Sequence, residues 1–425
     1  MSSFERIAIV GSGVAGLVAA HHLHRAHDIT VFEAASRVGG HVHTWELESG
    51  GRTWSVDSGF IVFNDRNYPN FTRLLNELGV ASQPSSMSFS VRHDREGLEY
   101  NGSTLRQLFV QPRNLARPTY LRMLAEILRF NRHALAAVEA MPDGGRRETL
   151  ATLLRTGGYS GAFRDWYLLP MGSAIWSLPP DKVLRMPAAF FTRFFHNHGM
   201  LTVDDRPLWR TVRGGSARYT EALVAPFRDR IRTSTPVRRV ERTEDSVLVD
   251  GERFDRVVLA CHSDQALAML ADPTPGERVA FAAIPYQSND VILHTDTSIL
   301  PRARSAWGAW NYRVRADRSE PAVVTYDMNI LQALDAPETF CVTLNGEDLI
   351  DPARIVGRVR YDHPVATTAG ERARAFRSEM SGRDRTHYCG AYWGNGFHED
   401  GVVSALAVVQ EIAVANARRA PLRVA

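Results

Sequence analysis

Residues 6–16, Arg-Ile-Ala-Ile-Val-Gly-Ser-Gly-Val-Ala-Gly, decide how this chain folds. The run Ile7-Ala8-Ile9-Val10 reads as a short buried strand, and Gly11, Gly13 and Gly16 follow at G-x-G-x-x-G spacing. Gly11 allows a tight turn, Gly13 lets a pyrophosphate approach the backbone, and Gly16 lets the next helix pack closely on the strand. Val14 and Ala15 open that helix, and Leu17, Val18, Ala20 and Leu23 make it apolar. Its N-terminus offers free N–H groups and the positive end of a dipole to phosphate. A second strand, Ile29 to Phe32, ends at Glu33. That carboxylate is placed to accept hydrogen bonds from ribose hydroxyls, and its charge disfavours a 2′-phosphate. A further turn holds Arg37 and Gly39-Gly40.

A chain of 425 residues exceeds what one hydrophobic core usually serves, so two domains are expected. A net charge of +3 gives no electrostatic footprint for nucleic acid, which is excluded as the main partner. No apolar run approaches the ~20 residues of a membrane span. The chain enters its first strand within ten residues, so no cleavable signal is expected before the fold. Cys261, Cys341 and Cys389 are scattered without metal-type spacing, and a cytoplasmic setting fits them. The pairs His41 with His43 and His196 with His198 lack a third ligand, so no metal site is expected.

The absence of repeats and linkers requires two interleaved domains. The expected class is α/β: a Rossmann-type nucleotide domain (1–75, 205–270 and 376–425) interleaved with an α+β substrate domain (76–204 and 271–375). Strands are expected at Ile231–Val237, Ser246–Val249, Arg256–Ala260, 284–294 and 322–327. Residues 119–140 read as an amphipathic helix with Leu121, Leu124, Ile127, Leu128 and Leu135 on one stripe. Phe190, Phe191, Phe194 and Phe195 recur on a single helical face. That face fits core packing, the wall of an apolar substrate tunnel, or a surface that dips into a membrane.

A second glycine-rich turn, Gly394-Asn395-Gly396-Phe397-His398-Glu399-Asp400-Gly401, leads into a helix beginning Val402-Val403. It forms another electropositive helix pole, with Asp400 as a candidate cap. Asp57-Ser58-Gly59 follows the Gly39-Gly40 turn after a short β-rich stretch.

The Gly39-Gly40 pair after Glu33 resembles the FAD-binding flavin amine-oxidase-like superfamily, which includes phytoene desaturases. Four further stretches sharpen the likeness: Val56–Asn64 with Tyr68–Phe71, Leu169–Ser177, Trp209–Ser216, and Gly390–Gly394 with Gly396–Gly401. Together they resemble a bacterial branch similar to the flavin domain fused to plant cyclopropane fatty-acid synthase. The resemblance implies non-covalent FAD, because no cysteine lies in the C-terminal flavin turn. It assigns cofactor contacts to Gly11, Gly13, Val14, Ala15, Gly16, Glu33, Ala34, Arg37, Gly39, Gly40 and His41. It extends them to the flavin-side turn Asp57, Ser58 and Gly59, to Val237 beside adenine, and to Gly390, Asp400, Gly401 and Val402. His41 stands where the superfamily often has arginine. Tyr392 and His398 are the flavin-side catalytic candidates, and Trp393, Trp307 and Trp310 the pocket candidates.

The same resemblance implies oxidation or desaturation of an unsaturated, methylated or cyclopropanated acyl chain. It brings an acyl-modifying methyltransferase into view as a partner, and a peripheral contact with the inner membrane face. The alternatives are an amine or amino-acid oxidase, and a flavin-bearing accessory subunit. Amine oxidases of this fold place a lysine against the flavin through a water. The one lysine here, Lys182, stands in Leu178-Pro179-Pro180-Asp181-Lys182, read as a surface turn.

Overall fold

The computed structural model describes residues 4–140, 148–202, 207–316 and 323–419; the expected domain junction at 204/205 lies outside them. The motif strand Arg6–Val10 lies at the centre of a five-stranded sheet. Asp28–Phe32 and then Ile231–Arg232 flank it on one side, Arg256–Leu259 and then Thr386–Tyr388 on the other. Every pairing in this sheet is parallel. Central parallel strands are buried on both faces, which is why Ile7, Ala8 and Ile9 are fully buried in an unbroken apolar run. The helices Val14–Leu23 and His398–Arg419 cover one face and bring Leu17, Val18, Val402, Ala405 and Val408 into a common core.

A second, seven-stranded mixed sheet runs in the order 355–364, 286–294, 341–344, 323–327, 310–314, 89–93, 98–101. The chain thus passes between the two sheets repeatedly. Two small pieces join them: the hairpin Thr44–Ser49 with Arg52–Asp57, and a three-stranded sheet of 62–64, 209–212 and 82–84. A helical lobe, including 118–140, 169–176 and 188–197, covers the far side.

Several expectations change. The strand expected over Ile231–Val237 ends at Arg232, because Ser234 turns the chain at φ 51° and its N–H donates to the Ala35 carbonyl. Val237 therefore lies beyond the sheet, packed at the edge of the core that holds Phe32 and Val257. Helix 118–140 buries Tyr120, Met123, Phe130 and Ala134, so its inward stripe is rotated from the leucine stripe, and Leu121 and Leu128 face outward. All four phenylalanines of helix 188–197 are buried, none more than 8 % exposed. The Phe194 ring lies 4.8 Å from Trp176 and 5.0 Å from Phe397. Packing accounts for this face, and neither a tunnel wall nor a membrane-dipping surface is needed.

Lys182 also departs from the expectation of a free surface turn. Pro180 occupies the first turn of helix Pro180–Arg185, where its missing N–H costs nothing, and half-buried Lys182 donates to Gln287 Oε1 at 2.6 Å. The helix His398–Arg418 is long and apolar enough by composition to cross a membrane, which the sequence reading did not register. Its Val402, Ala405, Val408 and Ile412 are fully packed in the first core, as befits a core helix.

Candidate active site

The two glycine-rich turns meet at one place. Gly401 abuts the start of the first helix: a methyl there would stand 2.6 Å from Val14 Cγ1. Two helix N-termini therefore converge, concentrating N–H groups and positive dipole ends. Gly16 is required for the turn itself, since a methyl would lie 1.9 Å from the Gly11 carbonyl oxygen. Gly11 has φ +105°. Gly13 is different. A methyl there meets no atom within 4 Å, so it faces open space at the mouth of the helix.

Glu33 closes this loop. Its Oε2 accepts from the Ser12 N–H at 2.9 Å and from the Ser12 hydroxyl, and its Oε1 accepts from the Ala35 N–H at 2.8 Å. Ala34 lies exposed beside it. The Ser12 carbonyl in turn accepts from the Gly39 N–H. Arg37 donates to the carbonyls of Val42 at 2.8 Å and Gly40 at 2.9 Å, so its guanidinium fixes the second turn. Ser12 escaped the sequence reading, although its place between Gly11 and Gly13 was the available signal.

Beyond the turns lies a set of stacked rings. His41 stacks on Tyr361 at 4.8 Å between centroids, with His363 at 5.4 Å and His262 at 5.9 Å. Gly59 makes this possible: a methyl there would strike the His41 carbonyl and stand 3.1 Å from the Tyr361 ring. Ser58 accepts from the Trp45 indole N–H at 2.9 Å and shares a hydrogen bond with the Tyr361 hydroxyl. Burial holds His41 well below the ordinary imidazole range and pushes His363 down to about 4, so both are neutral at pH 7. His41 Nε2 is buried with no hydrogen-bond partner. Tyr361 and His363 were missed; their signal was spacing two apart on one strand, which places side chains on a common face.

Asp57, expected beside the flavin, is engaged by donors from three separate segments. Its fully buried carboxylate accepts from Thr44 Oγ1 at 2.5 Å, from the Ser216 N–H at 2.9 Å and from Gln332 Nε2 at 3.1 Å. It thereby ties the hairpin, helix 217–224 and the second sheet's lobe together. Desolvation outweighs these donors and raises it to about 6.

Asp400 sits in the first turn of the last helix and accepts from the Phe397 N–H at 2.9 Å, so it caps the helix by reaching back. Burial raises it to about 6. Neighbouring Glu399 accepts from the Asn70 and Phe71 N–H groups, capping helix 69–77 and joining two of the motifs that carried the resemblance. The Gly390 N–H donates to Ser404 Oγ, and Val402 is buried beside it in the core.

Both catalytic candidates are packed among aromatic side chains. His398 lies flat on Phe60 at 3.6 Å, with Nε2 hydrogen-bonded to the Tyr219 hydroxyl, and burial pushes it down to about 3. It is held by packing. Tyr392 is 2 % exposed and belongs to the core with Tyr388 and Phe281, and its buried hydroxyl has no hydrogen-bond partner. Trp307 donates to the Pro301 carbonyl, Trp393 packs near Tyr392, and Trp310 lies edge-on to Tyr326 in the core of the second sheet.

The profile of flavin containing amine oxidoreductases matches residues 14–325. The chain belongs to this family. It is 26 % identical over 344 residues to a Mycobacterium tuberculosis protein named as a flavin-containing monoamine oxidase, covering 76 % of this chain and 70 % of that one. It is 27 % identical over 267 residues to the flavin-dependent L-tryptophan oxidase of Lentzea aerocolonigenes, covering 58 % and 54 %. Among solved structures, cyclohexylamine oxidase of Brevibacterium oxydans shares the fold at TM-score 0.69 and 16 % identity, over 96 % of this chain and 99 % of that one. A fatty acid isomerase of P. acnes shares it at 0.66 and 19 %, over 96 % and 99 %.

The flavin amine oxidoreductase is thus an FAD enzyme, and its residues fit the cofactor. Open space at Gly13, two converging helix poles, the acid Glu33 and the unpaired His41 nitrogen form a cradle of the right polarity. Gly11–Gly16 and the last helix's N-terminus would hold the diphosphate, and Glu33 the ribose.

Proposed function

We propose that this FAD-dependent oxidoreductase desaturates a fatty-acyl chain that is unsaturated, methylated or cyclopropanated: a new C=C bond forms as a hydride is taken up by bound FAD and a proton is released to water. The two-electron sink is the flavin N5 of bound FAD. The observation that carries this reading is the place of Lys182. The chain's one lysine donates to Gln287, which pairs with His363 across the second sheet, so its ammonium is engaged by a protein partner at the edge of the ring cluster. With its ammonium held by Gln287 and no second lysine in the chain, the lysine–water arrangement that amine oxidases of this fold use is not favoured. The likeness to the acyl-modifying bacterial branch supports the same conclusion.

The chain's own groups contribute orientation and a dry site. Tyr361 is anchored through Ser58, and Gly59 lets its ring approach His41. The neutral imidazoles of His41 and His363 offer hydrogen bonds without fixed charge. Tyr361 continues into the apolar core of the second sheet with Val291, Leu293, Tyr312 and Val324.

A second reading, oxidation of an amine or amino acid, is favoured by the names of the sequence relatives. Mass spectrometry of the product separates the two. An acyl product lighter by two hydrogens supports the proposal, whereas an aldehyde or keto acid with ammonia from an amine replaces it.

A further inference from the structure

We propose that the outward face of helix 118–140 docks on an anionic phospholipid bilayer. The helix carries two apolar stripes. Tyr120, Met123, Phe130 and Ala134 form the inward one, buried against the helical lobe. Leu121, Ala125 and Leu128 recur at i, i+4 and i+7 on the opposite side and are exposed. Leu121 is 42 % and Leu128 55 % exposed, and Leu115, just before the helix, is 58 % exposed. Scattered single leucines need no explanation, but a repeat along one outward stripe does.

The charge around the stripe selects the occupant. Residues 105–135 hold six arginines and one acid, Glu126. Glu126 is only 6 % exposed, with its carboxylate turned inward to the Ser160 N–H and hydroxyl. Arg132 continues the apolar stripe one turn beyond Leu128, and Arg122, 63 % exposed at its side chain, flanks it with its Nε paired to Glu126 at 3.2 Å and the rest of its guanidinium outward. The outward surface is therefore apolar along its middle and basic at its edges. That is the pattern of a helix lying in a membrane interface, with leucines at the acyl boundary and guanidinium groups among lipid phosphates. A soluble protein partner would need complementary apolar area plus acids; a bilayer with anionic headgroups supplies both. The proposal does not depend on the identity of the oxidised substrate.

The test is co-sedimentation of the FAD-loaded enzyme with vesicles of phosphatidylcholine alone and of phosphatidylcholine with phosphatidylglycerol. Binding should rise with the anionic fraction and fall as salt is raised. The paired variant Leu121→Asp/Leu128→Asp should lower the partition coefficient at least about tenfold, because apolar insertion is lost. Arg132→Glu should lower it by roughly fivefold per basic charge removed, and only on anionic vesicles. Both variants alter exposed side chains, so melting temperature and flavin content should stay at wild-type values. Absent binding to anionic vesicles, or equal binding by the leucine pair variant, overturns the proposal. Concentration-dependent dimerisation by sedimentation velocity that vanishes in the leucine pair variant, with no vesicle binding, would assign the face to self-association instead.

Discussion

Substituting Gly13 and Gly16 separately should divide cofactor binding from folding. Gly13 has φ −68° and ψ 177°, a backbone any residue adopts, and a methyl there meets open space. Gly13→Ala gains roughly 0.4–1 kcal/mol through the unfolded chain and loses a few tenths at the helix cap, so apo stability should hardly move. In the holo state the same methyl occupies the diphosphate's approach. Losing two charge-assisted N–H contacts there costs about 3–6 kcal/mol, a 10²- to 10⁴-fold rise in Kd on the tenfold-per-1.4-kcal/mol scale. Gly16→Ala puts its methyl 1.9 Å from a backbone oxygen that cannot swing aside. Overpacking of this kind costs about 1–3 kcal/mol or more, and the turn that places Glu33 shifts with it. The assay is paired: melting of the apoprotein, and flavin content from the 450 to 280 nm absorbance ratio after dialysis. Gly13→Ala should melt like wild type and come out colourless, and Gly16→Ala should lose both properties. Full flavin occupancy in Gly13→Ala would refute the placement of the cradle.

Glu33→Ala should weaken FAD by ten- to a hundredfold, from a charge-assisted bond of roughly 1.5–3 kcal/mol, measured by titrating apoprotein with FAD. Phe195→Ala should cost about 3–5 kcal/mol of stability while leaving any chain-length preference unchanged, because its ring is fully buried in packing. Asp57 has a raised folded pKa of about 6, so its contribution is present at low pH and is lost as pH rises through that value. The stability difference between wild type and Asp57→Asn should therefore grow, by up to about 1.4 kcal/mol per unit, as pH falls from 6 toward 4. His398→Asn should lower the melting temperature through loss of the Tyr219 bond and the Phe60 stack, and leave the pH profile of flavin reduction unmoved.

The dinucleotide half was legible because its demands are local. A strand, three glycines and an acid are written within thirty residues, and they form the central strand, the tight turn and the helix that their spacing predicts. Helix 118–140 was placed but its stripe is rotated, with Leu124 and Ile127 packed on the core and Leu121 and Leu128 outward, because periodicity shows that a stripe exists and not how it is centred on the core. Tyr392 and His398 were chosen from a motif near the flavin pole. Tyr392 packs in the core with Tyr388 and Phe281, and His398 stacks on Phe60 and bonds Tyr219, partners that come from distant segments for all but Tyr388. The donors to Asp57 were likewise out of reach: they come from Thr44, Ser216 and Gln332, and no local pattern announces such a convergence. The ring cluster of His41, His262, Tyr361 and His363 is assembled from three separate segments and was invisible until the sheets were in place.

Anaerobic flavin bleaching tests the central claim most directly. The oxidised enzyme is mixed under argon with acyl lipids of increasing length, with amines and with amino acids, while absorbance at 450 nm is followed. A long acyl chain should bleach the flavin at far lower concentration than a short one, since each buried methylene adds about 0.8 kcal/mol of binding. Rapid bleaching by a simple amine or amino acid, with no response to any lipid, would contradict the account.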